Sequence, residues 1–276
     1  MIIRRINFQN FTSIGIGGDG ILYIPEKIEE IKNIKEYFFI LGKGSNILVD
    51  ERKTHHALYL ENFTKISFEE NLLTAEAGVL NKTLLRFCIE NKIKTFNFLA
   101  GIPGTIGGTV AMNAGLPGMG IGSFVKKMLV YSLKQSEFLE IIPDKNTFSY
   151  RNSILRKKNY VVLKCYFEIE KESSNNRIKQ NIKNIMTKKI QNQPYFEKTF
   201  GSIFKNPPGN KAWKLIEGAG LKGYGVNGVY ISEKHSNFLI NKGGGNFKDA
   251  CHVIEKCRES VYNKYKISLE EEVIYI

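Results

Sequence analysis

Little in this chain can chelate a metal or form a covalent bridge. Its four cysteines, Cys88, Cys165, Cys251 and Cys257, include no C-x-x-C pair, and His55, His56, His235 and His252 fall at no metal-ligand spacing. Reduced thiols in or near a core are expected, and no metal. No apolar run approaches the ~20 residues needed to span a bilayer. The opening Met1-Ile2-Ile3-Arg4-Arg5-Ile6-Asn7 lacks the apolar core of a signal peptide. A cytoplasmic protein with no membrane insertion is expected. There is no Walker A and no good G-x-G-x-x-G fingerprint, and no G-x-S-x-G elbow surrounds Ser202, so P-loop, Rossmann and serine-hydrolase readings are poor. Acidic side chains are in the minority, 27 against 40 Lys and Arg, a formal charge of +13. Such an excess suits nucleic acid, a membrane surface or a small anionic ligand. The lysines are dispersed and no nucleic-acid module is visible, which leaves an anionic substrate as the better account of any functional part of that charge.

Glycine, by contrast, is concentrated. Residues 101–122 hold eight of the 25 glycines in the 276-residue chain. Glycine loses the most backbone entropy on folding, so this density needs backbone that turns through positive φ or lies flat against a ligand. Gly101-Ile102-Pro103-Gly104-Thr105 reads as a turn with one φ fixed by proline. From Gly107 to Gly115 every side chain is small or slender, and free N–H groups in such a loop form a nest for phosphate. The apolar Ile102, Ile106, Val110 and Met112 argue against a linker. A second glycine turn, Gly42-Lys43-Gly44-Ser45-Asn46, lies between the apolar runs Phe38–Leu41 and Ile47–Val49. Two such turns suggest a diphosphate-bearing cofactor.

The apolar periodicity is that of an α+β protein of two or three modules. Strands are expected at 21–24, 38–41, 57–60, 72–75, 125–131, 138–142, 160–169, 229–232, 238–240 and 269–275. Helices are expected at 26–37, 81–91, 178–190, 248–264 and from Ala212 to Gly218 or Gly220. The polar segment 170–179, with Ser173-Ser174-Asn175-Asn176, is the best candidate boundary.

Five segments then agree with one family. Leu41-Gly42-Lys43-Gly44-Ser45-Asn46-Ile47-Leu48-Val49, Ala100 to Gly108 continuing to Met112-Asn113-Ala114-Gly115, Tyr150-Arg151-Asn152-Ser153, Gly201-Ser202-Ile203-Phe204-Lys205-Asn206-Pro207 and Leu269-Glu270-Glu271-Glu272-Val273 occur in the family's order. The chain resembles the UDP-N-acetylenolpyruvoylglucosamine reductases (UDP-N-acetylmuramate dehydrogenases), flavoenzymes of peptidoglycan precursor synthesis. No insertion bearing a substrate-covering tyrosine lies between Arg151 and the serine loop, which resembles the shorter form of the enzyme. Residues 10–18 fit the opening motif loosely, with Ser13 after Thr12 and Gly15 where bulkier residues are common. Asn192 stands where many members carry Lys. The run Gly243-Gly244-Gly245 has no account at this level.

The resemblance implies a two-subdomain FAD-binding region of the vanillyl-alcohol-oxidase/PCMH type plus a C-terminal α+β substrate-binding domain. The expected division is 1–55 and 56–175 for FAD and 180–276 for substrate. Non-covalent FAD is expected on Gly42, Lys43, Gly44, Ser45, Asn46, Ile102, Pro103, Gly104, Thr105, Gly107, Gly108, Asn113 and Ala114. Lys205, Asn206 and Asn237 are expected to contact UDP-N-acetylglucosamine enolpyruvate. NADPH is the implied co-substrate and a monomer the expected solution state. In the implied chemistry, reduced flavin passes a hydride to the β-carbon of the enolpyruvyl ether. Arg151 and Glu272 support the charge that develops, and Ser202 protonates the α-carbon. Two other readings stay open: another FAD oxidoreductase of the same superfamily, and a basic nucleic-acid-binding protein without flavin.

Overall fold

The computed structural model describes residues 1–116 and 118–276. Pro117, inside the glycine-dense stretch, lies outside the described residues. The chain divides into two compact units: Met1–Arg4, Leu22–Lys43 and Ala57–Lys188 form the first, and Arg5–Ile21, Gly44–His56 and Lys189–Ile276 form the second. This grouping follows the cores. Ile14, Ile16 and Leu48 are buried in one cluster with Phe204, Ile231 and Val253, so two N-terminal segments group with the C-terminal third.

The first unit is built on a five-stranded antiparallel sheet. Its order is Glu137–Ile141, Val125–Ser132, Tyr160–Glu168, Leu72–Glu76, Ile66–Glu69. Tyr160–Glu168 is central, and Val161, Leu163, Cys165 and Phe167 are almost fully buried at alternate positions, the pattern of a core-facing strand face. The helix Asn81–Glu90 buries Leu84, Leu85 and Cys88, as its apolar spacing predicts. Elsewhere in the unit, Phe39–Leu41 runs parallel to residues 57–59 and delivers the chain into the first glycine turn.

Three sequence expectations are corrected here. Residues 26–37 do not form an α-helix; only Ile28–Asn33 coils, as a 3₁₀-helix. The step between Ile28, Ile31 and Ile34 is three residues, which matches 3.0 residues per turn rather than 3.6. The second is in the glycine stretch, which is not all loop: Ile106–Ala111 is a short helix capped by the Thr105 side chain, with Ile106, Thr109 and Val110 buried. Finally, the C-terminal strand covers only Ile274–Tyr275, parallel to Ile47–Leu48. The strands Ile2–Asn7 and Ile66–Glu69 were not legible beforehand.

The second unit packs the helices Ala212–Gly218 and Phe247–Tyr265 with the antiparallel strands Gly225–Val226, Val229–Ile231 and Leu239–Asn241. The run Gly243–Gly245 now has a reason. It turns the chain from the last of these strands into the long helix, with φ of +117° at Gly243 and +76° at Gly244. The Asn241 carboxamide oxygen accepts from the N–H of Gly243 at 2.9 Å. A Cβ on Gly245 would lie 2.2 Å from the Val229 side chain.

Burial pushes the Cys88 and Cys257 thiols up to about 12 and Cys251 to about 11. These groups stay protonated and unreactive near neutral pH. Among the described residues no group of three His, Cys, Asp or Glu could hold a metal, and no helix is long and apolar enough to cross a membrane.

Candidate active site

The expected site residues fall on both units. Gly42, Lys43, Ile102 to Ala114 and Arg151 belong to the first; Gly44, Ser45, Asn46, Ser202, Lys205, Asn206, Asn237 and Glu272 belong to the second.

In the first unit the two glycine turns touch. A Cβ on Gly42 would stand 2.8 Å from the Thr105 hydroxyl oxygen, so only glycine lets the turns approach this closely. Thr105 also accepts from the Gly108 N–H at 3.3 Å. The N–H groups of Ile106 and Gly107 are not available to a phosphate, because they donate to Val79 O at 2.8 Å and Ala77 O at 2.9 Å. Among the described residues, no hydrogen bond engages the N–H groups of Lys43, Gly44, Gly101, Gly104 or Thr105. The nest expected over 107–115 is thus displaced toward 101–105. The unengaged amides of Gly101, Gly104 and Thr105, in one turn of the first unit, fit a diphosphate-bearing group such as FAD.

Asn81 organises this turn and had no signal in the sequence. It is almost fully buried, its N–H donates to Gly104 O at 3.0 Å, and its side chain donates to Ile102 O at 3.1 Å. The Thr109 hydroxyl donates back to its Oδ1 at 3.0 Å. Asn113, expected at the cofactor, has its carboxamide engaged on both sides. It donates to Ser149 O at 2.9 Å and accepts from the Gly122 N–H at 2.9 Å.

The same bracing delivers Arg151. The strands Phe148–Ser149 and Asn152–Ser153 form a hairpin whose two-residue loop is Tyr150-Arg151. Arg151 has φ of +52°, where an L-residue is strained by roughly 1–2 kcal/mol. Its Nη2 donates to Gly115 O at 2.9 Å, and the Ser153 hydroxyl donates to Ala111 O at 2.6 Å. The guanidinium and the hairpin's second strand are therefore each bonded to the glycine stretch.

In the second unit Gly44 has φ of +65°, and a Cβ there would lie 2.0 Å from Phe11 O. Ser13, loosely fitting by sequence, is a connector. Its N–H donates to Gly44 O at 2.9 Å and its hydroxyl donates to Thr199 O at 2.6 Å.

Ser202 is half-buried and bridges to Phe238 through the main chain. Among the described residues, no group hydrogen-bonds its hydroxyl. The next residues are pinned. Ile203 O accepts from the Glu272 N–H at 2.8 Å, and Phe204 bridges to Glu271. The Asn46 side chain donates to Glu272 O at 2.9 Å, and Asn46 O accepts from the Ile274 N–H at 3.0 Å. Asn46 thus ties the first glycine turn to the segment that carries Glu272.

The neighbour Glu271 is engaged elsewhere. Arg258 approaches it at 3.3 Å, and Tyr275, whose hydroxyl is raised first by burial and then by Glu271, shares a hydrogen bond with it. Lys205 forms an ion pair with Glu270 at 2.5 Å, and Asn206 Oδ1 accepts from the Ala212 N–H at 3.0 Å.

Asn237, expected at the substrate, is placed behind the serine loop. Asn237 is 4% exposed, and both ends of its carboxamide are on Phe204: it accepts from the Phe204 N–H at 3.0 Å and donates to Phe204 O at 2.8 Å.

Residues 193–276 match the family described as UDP-N-acetylenolpyruvoylglucosamine reductase, C-terminal domain, and residues 23–133 match the FAD binding domain family. The UDP-N-acetylenolpyruvoylglucosamine reductase of Caldanaerobacter subterraneus subsp. tengcongensis is 35% identical over 274 residues, covering 96% of this chain and 90% of that protein. The Aquifex aeolicus reductase is 35% identical over 285 residues, covering 99% and 94%. The crystal structure of the Thermus caldophilus reductase superposes with a TM-score of 0.87 at 27% identity, over 100% of this chain and 99% of that one. Relatives at this identity over nearly their whole length, together with the two matched domains, show that this chain belongs to the UDP-N-acetylenolpyruvoylglucosamine reductase family.

Proposed function

We propose that the chain reduces UDP-N-acetylglucosamine enolpyruvate to UDP-N-acetylmuramate with NADPH, as a monomeric cytoplasmic enzyme, and that Arg151, Ser202 and Glu272 carry the reaction. FAD, when bound, relays a hydride from NADPH to the β-carbon of the enolpyruvyl ether. The glycine turns would hold its diphosphate on the amides of Lys43, Gly101, Gly104 and Thr105. As functional regions, 1–55 and 56–175 serve FAD and 180–276 serves the substrate.

The protein's own part is charge and proton management. Negative charge developing at the α-carbon and its carboxylate needs a preorganised cation, and Arg151 supplies it from its strained hairpin. Ser202 delivers the proton to the α-carbon. Its hydroxyl has no protein partner among the described residues, so substrate need not displace one. Glu272 supports that proton donor, its main chain bonded to Ile203 and Asn46. Lys205 and Asn206 contribute to the anionic substrate's site, whereas Asn237 supports the loop from behind.

The observation that carries this reading is the pairing, within one unit, of an unengaged Ser202 hydroxyl with a Glu272 main chain bonded to the adjacent residue. The first test is an anaerobic visible spectrum of the purified protein. NADPH bleaches the flavin band, and the enolpyruvyl sugar restores it. Bleaching without restoration would favour another flavin oxidoreductase; no flavin band after adding FAD would mean the glycine turns are misread. Glu272→Gln and Glu271→Gln then separate the two neighbours. Turnover falls in the first and is largely kept in the second, and equal loss would sink the assignment.

A further inference from the structure

We propose that Asn237 is a positioning residue that sets the proton-donating geometry of Ser202. This rests on the reading of Ser202 as the proton donor. Three hydrogen bonds run from this one residue to the two residues that follow Ser202. Asn237 O accepts from the Ile203 N–H at 2.9 Å, Oδ1 accepts from the Phe204 N–H at 3.0 Å, and Nδ2 donates to Phe204 O at 2.8 Å. Its neighbour Phe238 pairs with Ser202 itself through a main-chain bridge. The serine therefore stands on a loop whose backbone is held from one side by residues 237–238 and from the other by Glu271 and Glu272.

Asn237 is in turn fixed from behind. Its N–H donates to His235 Nδ1 at 3.3 Å, and the His235 ring packs edge-on against Phe238 with centroids 4.8 Å apart. The carboxamide is suited to this clamp because it presents one acceptor and one donor in a plane, the two groups needed to satisfy the main-chain N–H and C=O of one residue, Phe204. Neither a carboxylate nor an aliphatic side chain can do so. A donor displaced by about 1 Å loses roughly 10²-fold in rate, so a loop with this many anchors is what proton delivery from a hydroxyl requires.

The test uses the FAD-loaded enzyme and two stopped-flow measurements: bleaching of the flavin by NADPH, and its reoxidation by the enolpyruvyl sugar. In Asn237→Ala the reoxidation step slows by roughly 10²-fold while bleaching stays within about twofold of wild type. Amide hydrogen exchange at Ile203 and Phe204 becomes faster in Asn237→Ala and is unchanged in Ser202→Ala. Equal slowing of both steps, or no slowing of reoxidation, overturns the proposal.

Asn237→Asp gives a readout that a merely structural role would not move. The buried carboxylic acid has a raised pKa, and only its protonated form can both donate and accept. Its reoxidation rate, divided by that of wild type, rises as pH falls. A ratio independent of pH overturns the proposal. Ser202→Ala separates this inference from the reading beneath it. Reoxidation lost in Ser202→Ala but kept in Asn237→Ala removes only the positioning role. Reoxidation kept in Ser202→Ala removes the proton donor, and the positioning role with it.

Discussion

The glycine stretch of the first unit and the serine loop of the second are both held rigid, but by opposite means. Around residues 101–115 the contact surface is backbone. Ile106 and Gly107 donate to main-chain carbonyls, and a Cβ on Gly104, Gly107 or Gly115 would meet a neighbouring atom at 3.0 Å or less. Around residues 201–206 the contact surface is side chain, and the backbone beneath is pinned by Asn237, by main-chain bonds to residues 270–272, and through Asn46. A region that offers amides to an anion must clear space, which selects for glycine. A region that offers one hydroxyl must stop its own backbone moving, which selects for buried carboxamides.

The sharpest way to break this comparison is to add a single methyl group to the other glycine turn, residues 42–46, whose crowding is also against backbone or a short hydroxyl. Gly44→Ala places a Cβ 2.0 Å from Phe11 O at a φ of +65°, so a backbone must move. Loss of bound FAD at ordinary concentrations is expected, read from the flavin absorbance of the purified variant. Gly42→Ala meets only the Thr105 hydroxyl, at 2.8 Å and ordinary φ. It is expected to weaken FAD binding roughly tenfold, equivalent to about 1.4 kcal/mol. Equal loss in the two variants would mean that close approach, and not conformation, governs the turn.

The first unit's hairpin sets Arg151 beside the glycine stretch, and its replacement is expected to affect turnover more than folding. Arg151→Lys keeps the charge but loses the planar fork that reaches Gly115 O. A fall of roughly 10²-fold in turnover with flavin content unchanged is expected. Arg151→Gly relieves the positive φ but loses the bond to Gly115 O and frees the unfolded chain, so the melting temperature should change little while turnover falls further. A variant that loses flavin along with activity would show that Arg151 holds the turn rather than the substrate's charge.

Asn81→Ala probes whether the first unit also depends on a buried carboxamide. The change leaves the Ile102 carbonyl and Thr109 hydroxyl without their partner, a destabilisation of about 2 kcal/mol. A melting temperature lower by about 4–8 °C in differential scanning is expected. An unchanged melt would confine the carboxamide device to the second unit.

Much of this was legible in the sequence, and the parts that were not share a cause. Glycine density announced both turns, because a residue without a Cβ is costly anywhere else. Apolar periodicity gave the main strands and the helices Asn81–Glu90, Asn175–Asn192 and Phe247–Tyr265. The resemblance gave Arg151, Ser202 and Glu272 as an ordered set. What stayed hidden were Asn81, Ser13 and the bonds of Asn237 to Phe204. Each acts by one side chain reaching backbone that is distant in sequence, from Ser13 to Thr199 or from Asn237 to Phe204, and no local pattern marks such a pairing. The helix expected at 26–37 failed for the reverse reason. Its three-residue step is close enough to an α-helical face to suggest one, yet it fits a 3₁₀ turn.

The smallest effect expected is a pH dependence confined to the second unit's support. Burial holds the His235 pKa below its ordinary value, and its Nδ1 accepts from the Asn237 N–H, so the ring works as a neutral acceptor. Trp213 and Phe238 pack against it, and Glu217 is the charged group that acts on it. In the unfolded chain the ring takes up its proton near pH 6.5. The unfolded state therefore binds more protons than the folded one between that pH and the lower folded value. Stability from this residue is complete above about pH 6.5 and is lost as pH falls toward the folded pKa. Urea unfolding at steps from pH 8 to 5 should show wild type weakening relative to His235→Gln over the acidic half of that range. A constant difference between the two proteins across the whole range would mean that His235 folds without a penalty on its charged form, and would leave Asn237 anchored by hydrogen bonding alone.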